Sequence, residues 1–314
     1  MTLRSDRLDP MAVLLMVALC ALWGLNQVSI KVADGGISPV TQAGLRSAGA
    51  AILVWSLASW RGTPLFARDG TLWLGAVIAL LFAGEFTFLN WSLEFAEASR
   101  VVVFLYLAPF VVALGGHRFI PGERLRPVHV AGLVCAFVGM ALAFLDALRA
   151  PSPSELVGDV MAVAAAIFWG ATTVVVKATR LARIAPHKVL FYQLSGSAVT
   201  LLALAAASGE RGVFAPGPLV LASLLYQIAA IACVSYLAWF WLVTRYPAFK
   251  LAAFSFLTPL FGLVAGGMLL GETVTPALVF AVVLVGAGIY LVNRGPAKPT
   301  PDPTRAAAPL VMGD

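Results

Sequence analysis

Apolar runs alternate along the chain with short connections rich in glycine, proline and charge, and most runs reach the roughly 20 residues a helix needs to cross a bilayer. Read from these boundaries, helices fall near residues 11–33, 39–60, 71–93, 98–117 and 127–146, and again near 156–179, 186–207, 217–243, 248–270 and 275–293. Arg4 and Arg7 before the first run suggest a signal peptide. The run is longer than a typical signal core and has no clear small-x-small cleavage site, so it is expected to stay as a first helix. After Asn293 the chain carries Pro296, Pro299, Pro301, Pro303 and Pro309 with little to bury, and disorder is expected there.

The pattern is written twice. Trp23-Gly24 is followed by Lys31, and Trp169-Gly170 by Lys177, at an offset of 146 residues. Ile37-Ser38-Pro39 then matches Ile184-Ala185-Pro186, and Gly49 matches Gly196, both at 147. Leu107-Ala108-Pro109 matches Leu257-Thr258-Pro259 at 150, while Gly122-Glu123 matches Gly271-Glu272 and Gly139 matches Gly288 at 149. Such a near-constant offset marks an internal duplication. Each copy holds five helices, so the second enters the membrane from the opposite side, and the expected fold is an all-α membrane protein of ten transmembrane helices in two inverted five-helix repeats. The expected divisions are an N-terminal tail over 1–10, the repeats over 11–150 and 151–293, and a proline-rich tail over 294–314.

Composition removes the soluble alternatives. Hydrophobic residues make up 61% of the chain and charged ones 11%, against roughly half and a quarter in soluble domains. The formal net charge of +6 does not mark a nucleic-acid surface, because the basic residues are scattered between apolar runs. They alternate instead: fifteen Lys and Arg fall in one set of connections and three, Arg100, Arg149 and Arg211, in the other. By the positive-inside rule both termini are expected in the cytoplasm. Cys20, Cys135 and Cys233 sit inside apolar runs and read as small core residues. His117, His129 and His187 have no second ligand at metal spacing, and no nucleophile elbow, P-loop or dinucleotide fingerprint stands in a suitable context. No metal, cofactor or enzymatic activity is expected. The partners expected are a small-molecule substrate and the lipid bilayer, with no nucleic acid and a monomer as the working state.

In the order and double occurrence of these marks the sequence resembles the EamA-type branch of the drug/metabolite transporter superfamily, whose ten-helix members repeat a five-helix unit. The marks are the early Trp-Gly with its lysine, Ser38-Pro39 to Arg46 opening the second helix, the proline of the fourth and the Gly-Glu before the fifth, over residues 11–293. The resemblance implies a secondary transporter of the inner membrane that works by alternating access and exports amino acids, including aromatic ones, or similar metabolites, with YddG-like amino-acid exporters in view. A facilitative pore and an exporter of other amphipathic solutes, such as organic cations, remain open. The second half departs from the first where Gln193 stands opposite Arg46.

Candidate transport residues follow from what is costly in a membrane. Pro109 and Pro259 remove a backbone donor in the middle of equivalent helices and free the carbonyls of Leu105 and Ser255. Matched interruptions point to a central site, although a packing kink explains either proline alone. Glu85 is expected to be the one acidic residue deep in a helix, and its ionised form costs about 2.5–3.5 kcal/mol to insert. Either it binds a substrate ammonium or a coupling proton, or it forms a structural ion pair with Lys31 or Arg46. Lys177 reads as a lysine that extends its stem to hold the ammonium at the interface. Asn90, Tyr106, Trp169, Gln193 and Tyr236 supply polar and aromatic groups at membrane depth, fit either for a cavity or for the interfacial belt. Gly262, Gly266 and Gly271 read as close-packing positions. The Trp-Gly motif itself reads more as the trace of the inversion than as a binding signature.

Overall fold

A computed structural model describes residues 8–270 and 277–294, and the chain is all-helical there, apart from an isolated antiparallel bridge between Ile37 and Val213. The first half holds α1 (Pro10–Asp34), α2 (Pro39–Trp60), α3 (Leu72–Phe95), α4 (Ala98–Leu105), α5 (Ala108–Phe119) and α6 (Pro127–Leu142). The second holds α7 (Pro153–Ala178), α8 (Pro186–Ala207), α9 (Pro218–Tyr226), α10 (Tyr236–Arg245), α11 (Ala248–Phe254), α12 (Leu257–Leu270) and α13 (Ala277–Asn293). A helix satisfies its own backbone, which is what the apolar runs require in lipid. Many of these helices open on proline, whose missing N–H costs nothing in the first turn. At α1 the Asp9 carboxylate also accepts from the Ala12 N–H at 2.7 Å.

Among the described residues, seven helical segments are long and apolar enough to cross a membrane, with α4–α5, α9–α10 and α11–α12 each counted as one. α6 and α13 are apolar but shorter, and α2 carries the buried polar residues Thr41, Gln42, Arg46 and Ser47. α6 stops at Leu142, ahead of the helix end expected near 146, and a 3₁₀ turn follows over Leu145–Leu148. Gly271-Glu272 and the tails over 1–7 and 295–314 lie outside the described residues.

The two halves are interlocked rather than set side by side. α1 packs along α12 and α7 along α5, α2 packs on α8, and α6 on α13. Symmetry between the halves extends to single contacts. A Cβ added at Gly24 would lie 2.6 Å from the Phe261 Cβ, and one at Gly170 would lie 2.6 Å from the Val111 Cβ. Gly24 and Gly170 are repeat equivalents, as are Phe261 and Val111, so each Trp-Gly glycine is the point where its helix crosses the helix that carries the matched proline, Pro259 or Pro109. Gly132, Gly139 and Gly288 allow the same approach between α6 and α13.

One element breaks the symmetry. Between α9 and α10 the helix widens into a π-helical stretch over Gln227–Ser235, so the segment Pro218–Arg245 has 28 residues where its counterpart α3 has 24. Segment starts Leu72 and Pro218 are 146 apart and ends Phe95 and Arg245 are 150 apart. The step in the sequence offset is therefore taken up inside this helix, whose wider turns accommodate extra residues without breaking it.

The interrupted helices appear as separate pieces, α4 and α5 on one side and α11 and α12 on the other. Ser255 does not keep the free carbonyl expected of it: Thr258 N–H donates to it at 2.9 Å, tightening the break. The carbonyl of Phe254 instead accepts the Cys20 thiol at 3.2 Å, so this cysteine does more than fill space.

Among the described residues, three buried or partly buried ion pairs tie the helices, and two overturn sequence expectations. Lys177 does not snorkel. Its side chain is 1% exposed, and its Nζ lies 2.6 Å from Glu123 Oε1 while also donating to the Tyr246 carbonyl. Glu123 in turn accepts from the Ala248 N–H at 3.0 Å, so the pair ties the end of α7 to the start of α11. Gly122, at φ +86°, makes the turn that points Glu123 inward. Asp159 is a second acidic residue buried in a helix, against the expectation that Glu85 stands alone. Its carboxylate takes Arg100 Nε and Nη2 at 2.7 and 2.6 Å, so Arg100 is a buried side chain of α4 rather than a connection charge. Lys188 of α8 bonds Asp69 at 2.8 Å and the Ala67 carbonyl at 2.7 Å. The Lys188 ammonium, with the Thr71 hydroxyl, holds the Asp69 carboxyl down at about 2.

Removing one partner of a buried pair strands the other. Lys177→Met and Glu123→Gln are each expected to destabilise the fold by about 3–5 kcal/mol, and Lys177→Met combined with Glu123→Leu by less than the worse single change. Thermal unfolding in detergent measures this; a midpoint unmoved by either single change would refute the coupling.

Candidate functional site

Where the two halves meet, a cavity of about 180 Å³ lies between them. Its wall is built from helix faces at 3- and 4-residue spacing. α1 contributes Trp23, Asn26, Gln27 and Ile30, and α3 contributes Phe82, Glu85, Phe86 and Leu89. α7 repeats the α1 face with Trp169, Thr172 and Thr173. The π-helical stretch and α10 add Ile231, Tyr236, Trp239 and Phe240, and α2 and α8 add Arg46 and its repeat equivalent Gln193. Leu105, Tyr106 and Thr258, at the two helix breaks, close the wall.

Aromatic rings make a rigid frame. Trp23 stands edge-on to Trp239 with centroids 5.8 Å apart, and its indole N–H donates to Ser235 Oγ at 2.9 Å. Tyr106 stands edge-on to Trp169 at 5.6 Å. Gly262 has a specific part here: a Cβ on it would collide with the Gln27 amide, so its missing side chain makes room for a wall residue.

Arg46 is 2% exposed and lies against the rings of Phe86 and Phe82, with its central carbon 4.1 and 6.0 Å from their centroids. Its Nε and Nη2 are buried with no hydrogen-bond partner among the described residues. Glu85 is 9% exposed and lines the same space. It makes no direct ion pair with Arg46 among the described residues. Asn26 Oδ1 and Gln193 Oε1 are also buried with no hydrogen-bond partner among the described residues. A cavity with this many unanswered polar groups is built to meet water or a solute rather than to be packed shut.

Of the residues singled out from the sequence, Glu85, Arg46, Tyr106, Trp169, Gln193 and Tyr236 come together on this wall. Lys31 lies at the exposed end of α1, off the wall. Asn90 is on α3 and does not line the cavity, and its buried amide nitrogen has no partner among the described residues. Pro109 and Pro259 are buried in the first turns after the breaks and do not line the space themselves. Sequence reasoning missed Asn26, Gln27, Thr172, Thr173 and Thr258. The signal for the first four was present: they stand three and four residues after Trp23 and Trp169, on the same helix face. The Trp-Gly motif is thus both a crossing point and a stretch of cavity wall.

The profile of the EamA-like transporter family matches residues 10–145 and 156–294, one match per half. A probable amino-acid metabolite efflux pump of Salmonella typhimurium is 28% identical, over 91% of this chain and 95% of its own length, and the corresponding pump of Escherichia coli K12 is 28% identical with the same coverage. The aromatic amino acid exporter YddG of Ancylobacter novellus is 29% identical over 49% of this chain and 53% of its own length. A crystal structure with 21% identity superposes with a TM-score of 0.78 over 90% of this chain and 96% of that one, which shows a shared fold. Two family matches that between them span both halves, on a helical fold with a cavity where the halves meet, identify the chain as a member of the EamA-like transporter family, a multi-pass protein of the inner membrane.

Proposed function

We propose that the protein is a secondary transporter that exports amino acids, including aromatic ones, by alternating access. The observation that carries this is the central cavity, walled by equivalent faces of both halves and bordered by both helix breaks. Two interlocked bundles around one site are the arrangement in which rocking one half against the other opens the site to either side in turn. The named relatives are efflux pumps and an amino-acid exporter, which supports the substrate class. The cavity frame of Trp23, Trp169, Trp239 and Tyr106 suits a solute with an apolar or aromatic side chain.

In the bilayer, the proposed topology has ten spans in two inverted halves over 11–150 and 151–293, with both tails cytoplasmic. The charge bias supports it. With the buried Arg100, Lys188 and Lys250 set aside, the fifteen-to-three distribution becomes thirteen to two. Residues Glu85, Arg46, Gln193, Tyr106, Trp169 and Tyr236 are proposed to bind the solute or couple its movement. Pro109 and Pro259 are proposed to maintain the breaks. A second reading, export of organic cations, is favoured by one feature: Glu85 sits among Phe82, Phe86 and Tyr236, a setting that suits a cation.

In proteoliposomes, an internal load of one amino acid should accelerate entry of a labelled one; entry without such trans-stimulation is the mark of a pore, and stimulation only by organic cations favours the second reading. Glu85→Gln should lower amino-acid transport about tenfold, a loss of ~1.4 kcal/mol, and flatten its pH dependence; a near-normal rate and pH profile removes Glu85 from the mechanism. A reporter active only in the periplasm, fused after Asn293, should stay silent, and activity there breaks the ten-span topology.

A further inference from the structure

Arg46 and Glu85, the two charged groups of the cavity wall, make no direct ion pair with each other among the described residues. A buried guanidinium whose N–H donors lack acceptors is costly. The contacts of Arg46 with Phe86 and Phe82 hold the group without satisfying its N–H donors, and Nε and Nη2 are buried with no partner among the described residues. Nε and Nη2 lie on one edge of the guanidinium and form a fork that fits a carboxylate with two parallel hydrogen bonds.

Glu85 supplies the opposite chemistry. It stands between Phe82 and Phe86 on α3, ionised it only accepts hydrogen bonds, and it has no ion-pair partner among the described residues. Asn26 Oδ1 and Gln193 Oε1 add further oxygens on the same wall that have no partner among the described residues. The cavity therefore offers one fixed donor fork and several acceptors, beside apolar rings. A zwitterion with a single carboxylate, a single ammonium and an apolar side chain complements that set, whereas a simple cation leaves Arg46 unanswered and a simple anion leaves Glu85 so.

We infer that Arg46 binds the α-carboxylate of the transported amino acid and that Glu85, with the amide oxygens near it, binds the α-ammonium. This rests on the reading of the protein as an amino-acid transporter. The repeat equivalent of Arg46 is the neutral Gln193, so the site has one guanidinium in the pair of equivalent positions and fixes which way the solute's head points. That asymmetry is what a head-group site needs and what a symmetric cavity could not give.

Competition in the counterflow assay tests the assignment, with two series run on the wild-type protein. One is L-phenylalanine, its methyl ester, phenethylamine and 3-phenylpropanoate; the other is L-leucine, its methyl ester, 3-methylbutylamine and 4-methylpentanoate. In at least one series the amino acid should compete at least about tenfold better than each of its three analogues, because each analogue leaves a buried charged group unpaired. Arg46→Gln should bring the amino acid and its methyl ester to within about threefold of each other, and Arg46→Lys should keep part of the preference. A methyl ester or amine that competes as well as the amino acid in the wild type overturns the assignment while leaving amino-acid transport intact. A preference unchanged in Arg46→Gln overturns it as well. If no amino acid in a full panel shows counterflow, the transport reading fails, and the assignment with it. The wild-type series decides the question even if the Arg46 variants do not fold.

Discussion

The close crossing of helices at Gly24 and Gly170 is the contact on which the rest of this structure depends. At each point a backbone meets the helix that carries one of the two matched prolines, closer than any side chain would allow. In lipid there is no hydrophobic force to drive helices together, so such close approach is what binds them. Because each glycine reaches into the opposite half, the halves cannot separate without losing both crossings. The cavity is the space left around them. Trp23 and Trp169 stand beside the two glycines and face into it, so the residue that permits the crossing and the residue that walls the site are neighbours in sequence.

Polar groups at membrane depth fall into two classes here, separated by whether they are answered. Arg100 with Asp159 and Lys177 with Glu123 are fully paired, and they join helix ends. Their cost of burial is offset by direct contact and by backbone partners such as the Ala248 N–H. Arg46, Asn26 and Gln193 have buried atoms with no partner among the described residues and, with Glu85, line the cavity, while Asn90 and Gln227 carry such atoms off its wall. Burial alone did not distinguish the two classes, since Arg46 and Lys177 are equally hidden.

The π-helical stretch between α9 and α10 shows how a duplicated fold becomes chemically unequal. It takes in the extra residues of the second half without interrupting the helix, and Ile231 within it and Tyr236 just beyond it reach the cavity. Together with the exchange of Arg46 for Gln193, it gives a symmetric frame an asymmetric interior. A site that must hold a solute with two different ends has use for that difference.

Much of the fold was legible in the chain because its causes are local and repeated. Hydrophobic length sets where helices run, proline sets where they start or break, and the offsets of matched residues expose the duplication, including the step from 147 to 150 that the π-helical stretch absorbs. Part of the site was legible for the same reason: Glu85, Arg46 and Gln193 are conspicuous because polar groups are rare in such runs. Other matters had no local signal. Whether Lys177 reaches the interface or a buried carboxylate depends on where the turn at Gly122 puts Glu123, a residue 54 positions away in the chain. The chain left Glu85 open between a substrate role and a structural ion pair, and in the structure it makes no direct ion pair with Arg46 among the described residues, while the Arg46 guanidinium lies against Phe82 and Phe86. Asn26, Gln27 and the threonines of α7 were ordinary helix residues until the opposite half supplied the other walls. The sequence by itself determined the helices, the repeat and the list of costly groups, since each is fixed by residue type and spacing along one segment. Only the tertiary structure decided which of those groups are answered, because a partner for a buried charge comes from whichever helix the interlocking brings alongside.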